Sequence, residues 1–334
     1  MKSEDFDYSL PKNLIAAYPK DKRDESRLLV LDKEKKSVEH KNFYNLTDYL
    51  VPGDLLILNN TKVIPAKLKG IREGRETEIL LTTRLNGSEW KVLVQKPKND
   101  SVINFEDGLK GTLNKNSLNE WTVTFNRDAD EYIQDRGKMP LPPYIDREPE
   151  DKDKETYQTI YAKKEGAIAA PTAGLHFTKE LMEEIRNLCI DIKYITLHVG
   201  IGTFRPVKTD KIEDHVMHSE FVEIPEDTSS AVNFAKKNSR RVIAVGTTAV
   251  RALESAAGEG GDLNPYSDLT DLFIFPPYEY KIVDAMITNF HLPKSTLLML
   301  VSAFCGKDFL FQAYETAKME NYRFLSYGDA MFIY

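Results

Sequence analysis

The chain changes its hydrophobic texture twice, and no single motif restricts its architecture as strongly as that change. Between about residues 66 and 137 the pattern is short and alternating: TEILLTTRL and EWKVLVQ flank Asn86-Gly87, and SVINFED, LKGTLN and EWTVTFN follow, each closed by polar turn residues. Segments of period two separated by turn formers build a small antiparallel barrel or sandwich, because each strand has one face to bury. Asn-Gly between two such strands predicts a hairpin with a type I′ turn, in which both central residues need positive φ.

Outside that stretch the pattern is α/β. SRLLVLD (26–32) and GDLLILNN (53–60) are apolar runs on either side of a short helical NLTDYL. Further on, Thr178 predicts a helix N-cap ahead of Leu181, Ile185 and Leu188 on one face. IDIKYITLHV, RVIAV and DLFIF then read as strands, and TSSAVNFAKKN, AVRALESAA, STLLMLVSAF and FLFQAYETAKMENY as helices. Such alternation implies a mainly parallel or mixed sheet covered on both faces. GKMPLPPYIDREPEDKDKE (137–155) reads as a linker leaving the barrel. The expected fold class is therefore α/β: a mixed-sheet α/β sandwich domain made of residues 1–62 and 150–334, with a small antiparallel β-barrel domain inserted at 63–149.

With 334 residues, 41% of them hydrophobic and 29% charged, the chain has the composition of an ordinary globular protein. The acidic N-terminus lacks a signal-peptide core and no apolar run reaches about 18 residues, so a cytoplasmic protein without membrane contact is expected. Cys189 and Cys305 lie in apolar strings and read as reduced, buried thiols. A net charge of -7 opposes broad adhesion to nucleic acid, leaving only local basic strings such as KLKGIREGR (67–75) and KKNSRR (236–241).

Five of the six histidines, His176, His198, His215, His218 and His291, lie in the second half of the chain inside polar or glycine-containing strings. His176 follows the small-residue turn of Thr172 and Gly174 and precedes a helix start, so ligand, base and packed core residue all remain open. In TLHVGIGTFRPV, Gly200, Gly202 and Thr203 suggest close backbone approach to a ligand, but Arg205 stands where a dinucleotide fingerprint needs its third glycine. Gly246-Thr247-Thr248 joins a buried strand to a helix and offers open amides to a carboxylate or phosphate. Arg251 and Glu254 rise from that helix start on one face, which favours a pocket role over an exposed ion pair. His215, His218 and Glu220 have poor metal-chelating geometry when extended, and a histidine oriented by Glu220 is the better reading. Asn289 and His291 end a strand, where α/β sheets bind ligands.

Asp5-Phe6-Asp7-Tyr8, RDESRLL, GDLLILNNTKVIPA, MPLPPYI, GAIAAPTAGLHF, TLHVGIGTFRPV, EDHVMHSE, AVGTTAVRALES, DAMITNFHLPKSTLLMLVSAF and YRFLSYGDAMFI resemble, in order, the S-adenosylmethionine:tRNA ribosyltransferase-isomerase family of queuosine biosynthesis. The resemblance runs from residue 5 to residue 333 and is weakest between about 68 and 137. It implies an α/β domain with an inserted barrel. It also implies a reaction in which the ribosyl part of S-adenosylmethionine moves to the aminomethyl group of 7-aminomethyl-7-deazaguanine at the tRNA wobble position. Epoxyqueuosine forms, and adenine and methionine leave. S-adenosylmethionine is then a substrate, with no prosthetic group or metal, tRNA is bound through its anticodon loop, and the enzyme is a monomer.

That chemistry needs a base beside the sulfonium, an acid for departing adenine and a neutral amine. The pool for these roles is His176, His198, His218 and His291, with Glu220 or Glu254 as the carboxylate. The expected substrate contacts are Thr172, Gly174, Gly200, Gly202, Thr203, Gly246, Thr247, Thr248, Arg251, Glu254 and Asn289. Arg72 and Arg75, or else Arg23 and Arg27, are expected to meet tRNA. Other classes consistent with the histidines and the barrel are a metal-dependent hydrolase of a small polar substrate and a non-catalytic RNA-binding protein.

Overall fold

The computed structural model describes residues 1–116, 119–200, 202 and 206–334. The N-terminal part supplies β1 (Arg27–Asp32), β2 (Ser37–Asn42), β3 (Leu55–Asn59) and β4 (Thr61–Val63). The alternating stretch supplies β5 (Lys67–Arg72), β6 (Arg75–Arg84), β7 (Glu89–Val94), β8 (Ser101–Asn104), β9 (Lys110–Lys115) and β10 (Trp121–Phe125). Helices α1 (Asp130–Arg136) and α2 (Asp153–Thr156) lead to β11 (Lys164–Ala167), α3 (Lys179–Asn187), β12 (Asp191–Leu197), β13 (Glu220–Ile224) and α4 (Glu226–Lys237). The chain ends with β14 (Val242–Val245), α5 (Thr247–Ala256), β15 (Tyr266–Thr270), β16 (Ala285–Asn289), α6 (Thr296–Cys305), α7 (Lys307–Met319) and β17 (Ala330–Ile333).

These strands form a nine-stranded mixed sheet in the order β15-β13-β12-β3-β14-β16-β17-β1-β2, together with a closed six-stranded barrel and a small β11-β4 ribbon. At the centre β12, β3, β14 and β16 run parallel, and all residues of β3, β14 and β16 are buried, as a sheet covered on both faces requires. Alternate residues sort to the two faces. Leu29, Leu31, Leu55 and Ile57 pack with α4 to α7, whereas Leu28, Val30, Leu56 and Leu58 pack with α3 and the turn around Phe43 and Leu46. Thr178 caps α3 by accepting the Leu181 amide at 3.1 Å.

The barrel closes on itself because the meanders β5-β6-β7 and β8-β9-β10 pair along both edges, β5 with β8 and β7 with β10. Its interior holds Ile79, Leu81, Val92, Ile103, Leu113, Val123 and Phe125. Gly111 is required by that packing, since a Cβ there would stand 2.6 Å from Val123 Cγ2.

Several local expectations need correction. The β6–β7 hairpin forms, but Asn86 and Gly87 do not adopt positive φ. The Asn86 carboxamide oxygen instead accepts the Ser88 and Glu89 amides at 3.2 and 3.1 Å, and this Asx geometry replaces the type I′ turn with a longer loop. DLFIF is not a strand; the neighbouring Tyr266–Thr270 takes the sheet edge beside β13, and Leu272, Phe273 and Phe275 pack onto the core instead. Cys189 is exposed rather than buried, while Cys305 is buried. The proline-rich segment after the barrel is no free linker. Met139 and Ile145 are buried in a small core with Tyr157 and Tyr327, and the fully buried Asp153 takes a bidentate pair from Arg147 at 2.7 Å on both arms.

Candidate active site

The four parallel strands deliver their carboxyl ends to one edge of the sheet, and a cleft opens there between the residues that follow β12, β14 and β16. Val199, Gly246, Thr247, Thr248, Asn289 and His291 line it from the strand ends. Thr172 and Ala173 add a second wall, and Tyr144 and Ser326 a third, their hydroxyls 2.7 Å apart.

The start of α5 is built for backbone approach. Gly246 has φ +90°, a conformation that costs other residues energy, and its amide is spent on Ile287 O at 2.7 Å. The first intrahelical bond is Val250 N–H to Gly246 O at 3.2 Å, so the amides of Thr247, Thr248 and Ala249 precede the helical ladder. Asn59, wholly buried, holds this start in place. Its amide donates to Thr248 Oγ1 at 3.2 Å and to Leu197 O at 2.9 Å, and its oxygen accepts the Thr61 and Leu197 amides, both at 3.1 Å. Asn59 therefore ties the ends of β3 and β12 to the helix start.

His291 is 8% exposed and stands in the cleft wall. Thr288 Oγ1 lies 3.3 Å from its Nε2, and its Nδ1 has no hydrogen-bond partner among the described residues. Burial holds the imidazole down to about 3, hence neutral near pH 7. A neutral ring with one open nitrogen can accept a proton or donate one without first breaking a protein hydrogen bond.

His176 is a correction to the expected pool of cleft residues, because it lies behind the wall and not on it. Both ring nitrogens are engaged: Asn289 Nδ2 donates to Nε2 at 3.1 Å, which leaves the ring hydrogen on Nδ1, 2.7 Å from Ser26 Oγ. Ser26 in turn donates to Arg23 O at 3.1 Å, and the ring stacks on Phe43 with centroids 5.0 Å apart. Burial first, and Arg323 and Arg23 after it, hold this imidazole down to about 3 as well. What His176 orients is Asn289, whose oxygen accepts the Thr172 hydroxyl at 2.9 Å inside the cleft. Gly174 is a packing glycine beneath that wall, where a Cβ would come within 2.0 Å of the Tyr161 hydroxyl.

A second polar group gathers beside a smaller pocket lined by Gly202, His215, His218, Glu220 and Arg251. Arg251 and Glu220, both buried, form a close ion pair, and the Gly200 amide donates to Glu220 Oε1 at 2.7 Å. Arg251 Nη2 has no partner among the described residues. The alternative of an exposed Arg251–Glu254 ion pair does not hold, since Arg251 pairs with Glu220 and both Arg251 and Glu254 are buried. Glu254 instead accepts the amides of Lys281, Ile282 and Val283 at 2.9 to 3.0 Å, which occupies it as a fastener of that loop and takes it out of the pool of bases. His198 is also elsewhere: its Nδ1 lies 2.8 Å from Thr61 Oγ1, its ring faces Gly166, and burial lowers its pKa. Thr203 lies outside the described residues. Among the described residues no group of three or more His, Cys, Asp or Glu side chains is arranged to hold a metal ion.

Of the expected tRNA contacts, Arg23 and Arg27 are committed to the protein. Arg23 donates to the carbonyls of Gln158, Glu155 and Leu175 at 2.7, 3.0 and 3.3 Å, and Arg27 lies 3.7 Å over the Tyr322 ring while donating to Glu320 O. Arg72 and Arg75 pair across the β5–β6 hairpin on the barrel surface; Arg72 is likewise committed, donating to the carbonyls of Gln95 and Lys96, both at 3.1 Å, whereas Arg75 is exposed. Asn59, Tyr144, Thr288 and Ser326 were not singled out by sequence reasoning. The signal for Asn59 was a polar pair ending an otherwise apolar strand; Tyr144 lay hidden in a segment that reads as linker.

A cleft of this kind, at the carboxyl edge of a parallel sheet and lined by hydroxyls, open amides and a buried histidine, defines an α/β enzyme for a small polar ligand. The chain belongs to the queuosine biosynthesis protein family, whose model matches residues 3–333. It is 50% identical over 339 aligned residues to the S-adenosylmethionine:tRNA ribosyltransferase-isomerase of Sulfurihydrogenibium sp. and 51% identical over 340 to that of Carboxydothermus hydrogenoformans, covering 100% of each chain in both cases. Among solved structures it is similar to the S-adenosylmethionine tRNA ribosyltransferase of Thermotoga maritima, with 37% identity, a TM-score of 0.58, and coverage of 99% of this chain and 100% of that one. Neither a metal-dependent hydrolase nor a non-catalytic RNA-binding protein is named among these relatives. No single helix among the described residues is long and apolar enough to cross a membrane.

Proposed function

We propose that the chain is an S-adenosylmethionine:tRNA ribosyltransferase-isomerase. It moves the ribosyl part of S-adenosylmethionine to the aminomethyl group of 7-aminomethyl-7-deazaguanine in tRNA, giving epoxyqueuosine, adenine and methionine. The observation that carries the site assignment is that His291, neutral and open at Nδ1, shares one cleft with the amides at the start of α5. The amides of Thr247 and Thr248, together with the Thr247 hydroxyl, hold the methionyl carboxylate, where the helix dipole favours negative charge. Thr172 and Asn289 address the ribose hydroxyls. His291 serves as the acid-base group, and Glu220 with Arg251 shapes the neighbouring pocket.

On this reading S-adenosylmethionine is consumed as a substrate, no prosthetic group takes part, and the enzyme acts as a cytoplasmic monomer. Residues 63–149 form the inserted domain, and residues 1–62 with 150–334 carry the chemistry. The tRNA enters through its anticodon loop, whose unstacked bases can be held without a globally basic surface, in keeping with a net charge of -7. Arg75 contributes a phosphate contact from the barrel.

The test is incubation of the purified chain with S-adenosylmethionine and tRNA bearing 7-aminomethyl-7-deazaguanine. Adenine and methionine should appear in equal amounts, and the digested tRNA should contain epoxyqueuosine. Absence of adenine, or accumulation of S-adenosylhomocysteine as in a methyl transfer, would overturn the proposal.

A further inference from the structure

The first eight residues add no strand to the sheet, yet they are fastened both to the segment ahead of β13 and to the loop that carries His291. Ser3 donates to Asp210 O at 3.0 Å and Ile212 to Met1 O at 3.1 Å. On the other side Lys294 donates its amide to Phe6 O at 2.9 Å and places its ammonium 2.8 and 3.0 Å from Glu4 and Asp7. Phe6 is fully buried between these anchors. This strap therefore joins the segment beyond β12 to the loop that carries His291.

Its last residue reaches the histidine itself. The Tyr8 hydroxyl donates to the His291 carbonyl, and the Tyr314 hydroxyl, from α7, accepts the His291 amide at 2.9 Å. The two tyrosine rings meet edge to face with centroids 5.3 Å apart. Both backbone polar groups of one residue are thus held by a pair of side chains from opposite ends of the chain. The imidazole has much less to hold it: Thr288 Oγ1 at 3.3 Å on Nε2, and nothing among the described residues on Nδ1. Hydrogen bonding therefore holds the peptide groups of His291 more firmly than its ring.

We infer that Tyr8 is a positioning residue for His291, acting with Tyr314 to fix the peptide groups from which the cleft imidazole projects. The inference rests on the acid-base reading of His291 given above. Removing the Tyr8 hydroxyl leaves a buried carbonyl without its donor and frees the peptide to tilt, which displaces Nδ1 relative to a bound substrate. Rates depend steeply on such displacement, with losses up to about a hundredfold for 1 Å.

Tyr8→Phe keeps the ring and its packing and deletes only the donor. The expected result is a fall in kcat for adenine release of about tenfold or more, with KM for S-adenosylmethionine changed less than about twofold and a melting temperature within about 3 °C of the parent. Tyr314→Phe, which deletes the acceptor on the other side, should lower kcat in the same way and serves if Tyr8→Phe fails to fold. A positioning role also requires non-additivity: in a His291→Ala background, followed by single-turnover adenine release, Tyr8→Phe should have little further effect. If His291→Ala itself releases adenine at the parent rate, the acid-base reading fails. If His291→Ala is slow but both tyrosine variants are as fast as the parent, or if Tyr8→Phe slows the His291→Ala enzyme by its full factor, the positioning inference alone is overturned.

Discussion

Arg251 reaches past Glu254, three residues along its own helix, and pairs with Glu220 on the neighbouring strand β13. The residues are 31 positions apart in the chain and both are buried, so the pair locks α5 to the sheet next to the cleft. Breaking one side strands a buried charge. Arg251→Met should cost about 3 to 5 kcal/mol in urea unfolding, and adding Glu220→Met should recover most of that loss. Equal destabilisation in the single and double variants would show that the pair is not what holds the two elements together.

His176 and His291 make the fold sensitive to acid. Both have folded pKa values lowered to about 3 by burial, against an ordinary value of 6.5. Below pH 6.5 the unfolded chain binds protons at these rings that the folded chain refuses, so stability is lost as pH falls from about 6.5 towards 3 and is unaffected above that window. Each histidine contributes a slope of at most about 1.4 kcal/mol per pH unit. Urea unfolding of His176→Asn across pH 4.5 to 8 should show a visibly shallower decline than the parent; parallel curves would remove His176 from the account.

The same His176 distinguishes orientation from catalysis. With its ring nitrogens engaged by Ser26 and Asn289, His176→Ala should destabilise by about 1 to 3 kcal/mol, since buried partners are left unsatisfied. Turnover should fall mainly through a raised KM, because Asn289 loses its support while no reacting proton is removed. A hundredfold loss of kcat at unchanged KM would instead make His176 part of the chemistry.

Thr247→Val removes a hydroxyl at the start of α5 and keeps the side-chain volume. Titration calorimetry should show S-adenosylmethionine bound about tenfold more weakly, the cost of one lost hydrogen bond to a charged group, with the melting temperature preserved. Unchanged affinity would show that the Thr247 hydroxyl does not meet the carboxylate.

On the barrel, Arg72 and Arg75 stand directly opposite each other in the β5–β6 register. Arg72 turns its guanidinium to the Gln95 and Lys96 carbonyls at 3.1 Å, which leaves the exposed Arg75 to meet a phosphate. Arg75→Ala should therefore weaken tRNA binding and lower the slope of log affinity against log salt by about 1. An unaltered slope would clear this hairpin of phosphate contact.

The central strands were legible because burial on both faces leaves an unmistakable apolar run, as in Leu55–Asn59 and Val242–Val245. The barrel was legible for the opposite reason, its strict alternation. β15 was missed because Tyr266–Thr270 is an edge strand whose side chains are largely exposed and carry no pattern, while the apolar residues beside it serve the core without being a strand. At the site, the open helix start at Gly246 could be read locally. The roles of the histidines could not, since their partners are remote in sequence: Ser26 lies 150 positions from His176, and Tyr8 lies 283 from His291. The same holds for Glu254, whose carboxylate looks reactive until the three amides it serves are in view.

The segment that returns from the barrel is a stiff connection between the barrel and the cleft. Pro140, Pro142 and Pro143 each have a fixed φ, so the path from Met139 to Tyr144 has few soft torsions with which to absorb movement. At its near end Lys138 exchanges backbone hydrogen bonds with Lys67 of the first barrel strand, and at its far end Arg147 is locked to Asp153. Tyr144 stands between those anchors, in the wall of the cleft. The place of Tyr144 in the cleft wall is therefore tied to the first barrel strand by a path with little freedom to bend.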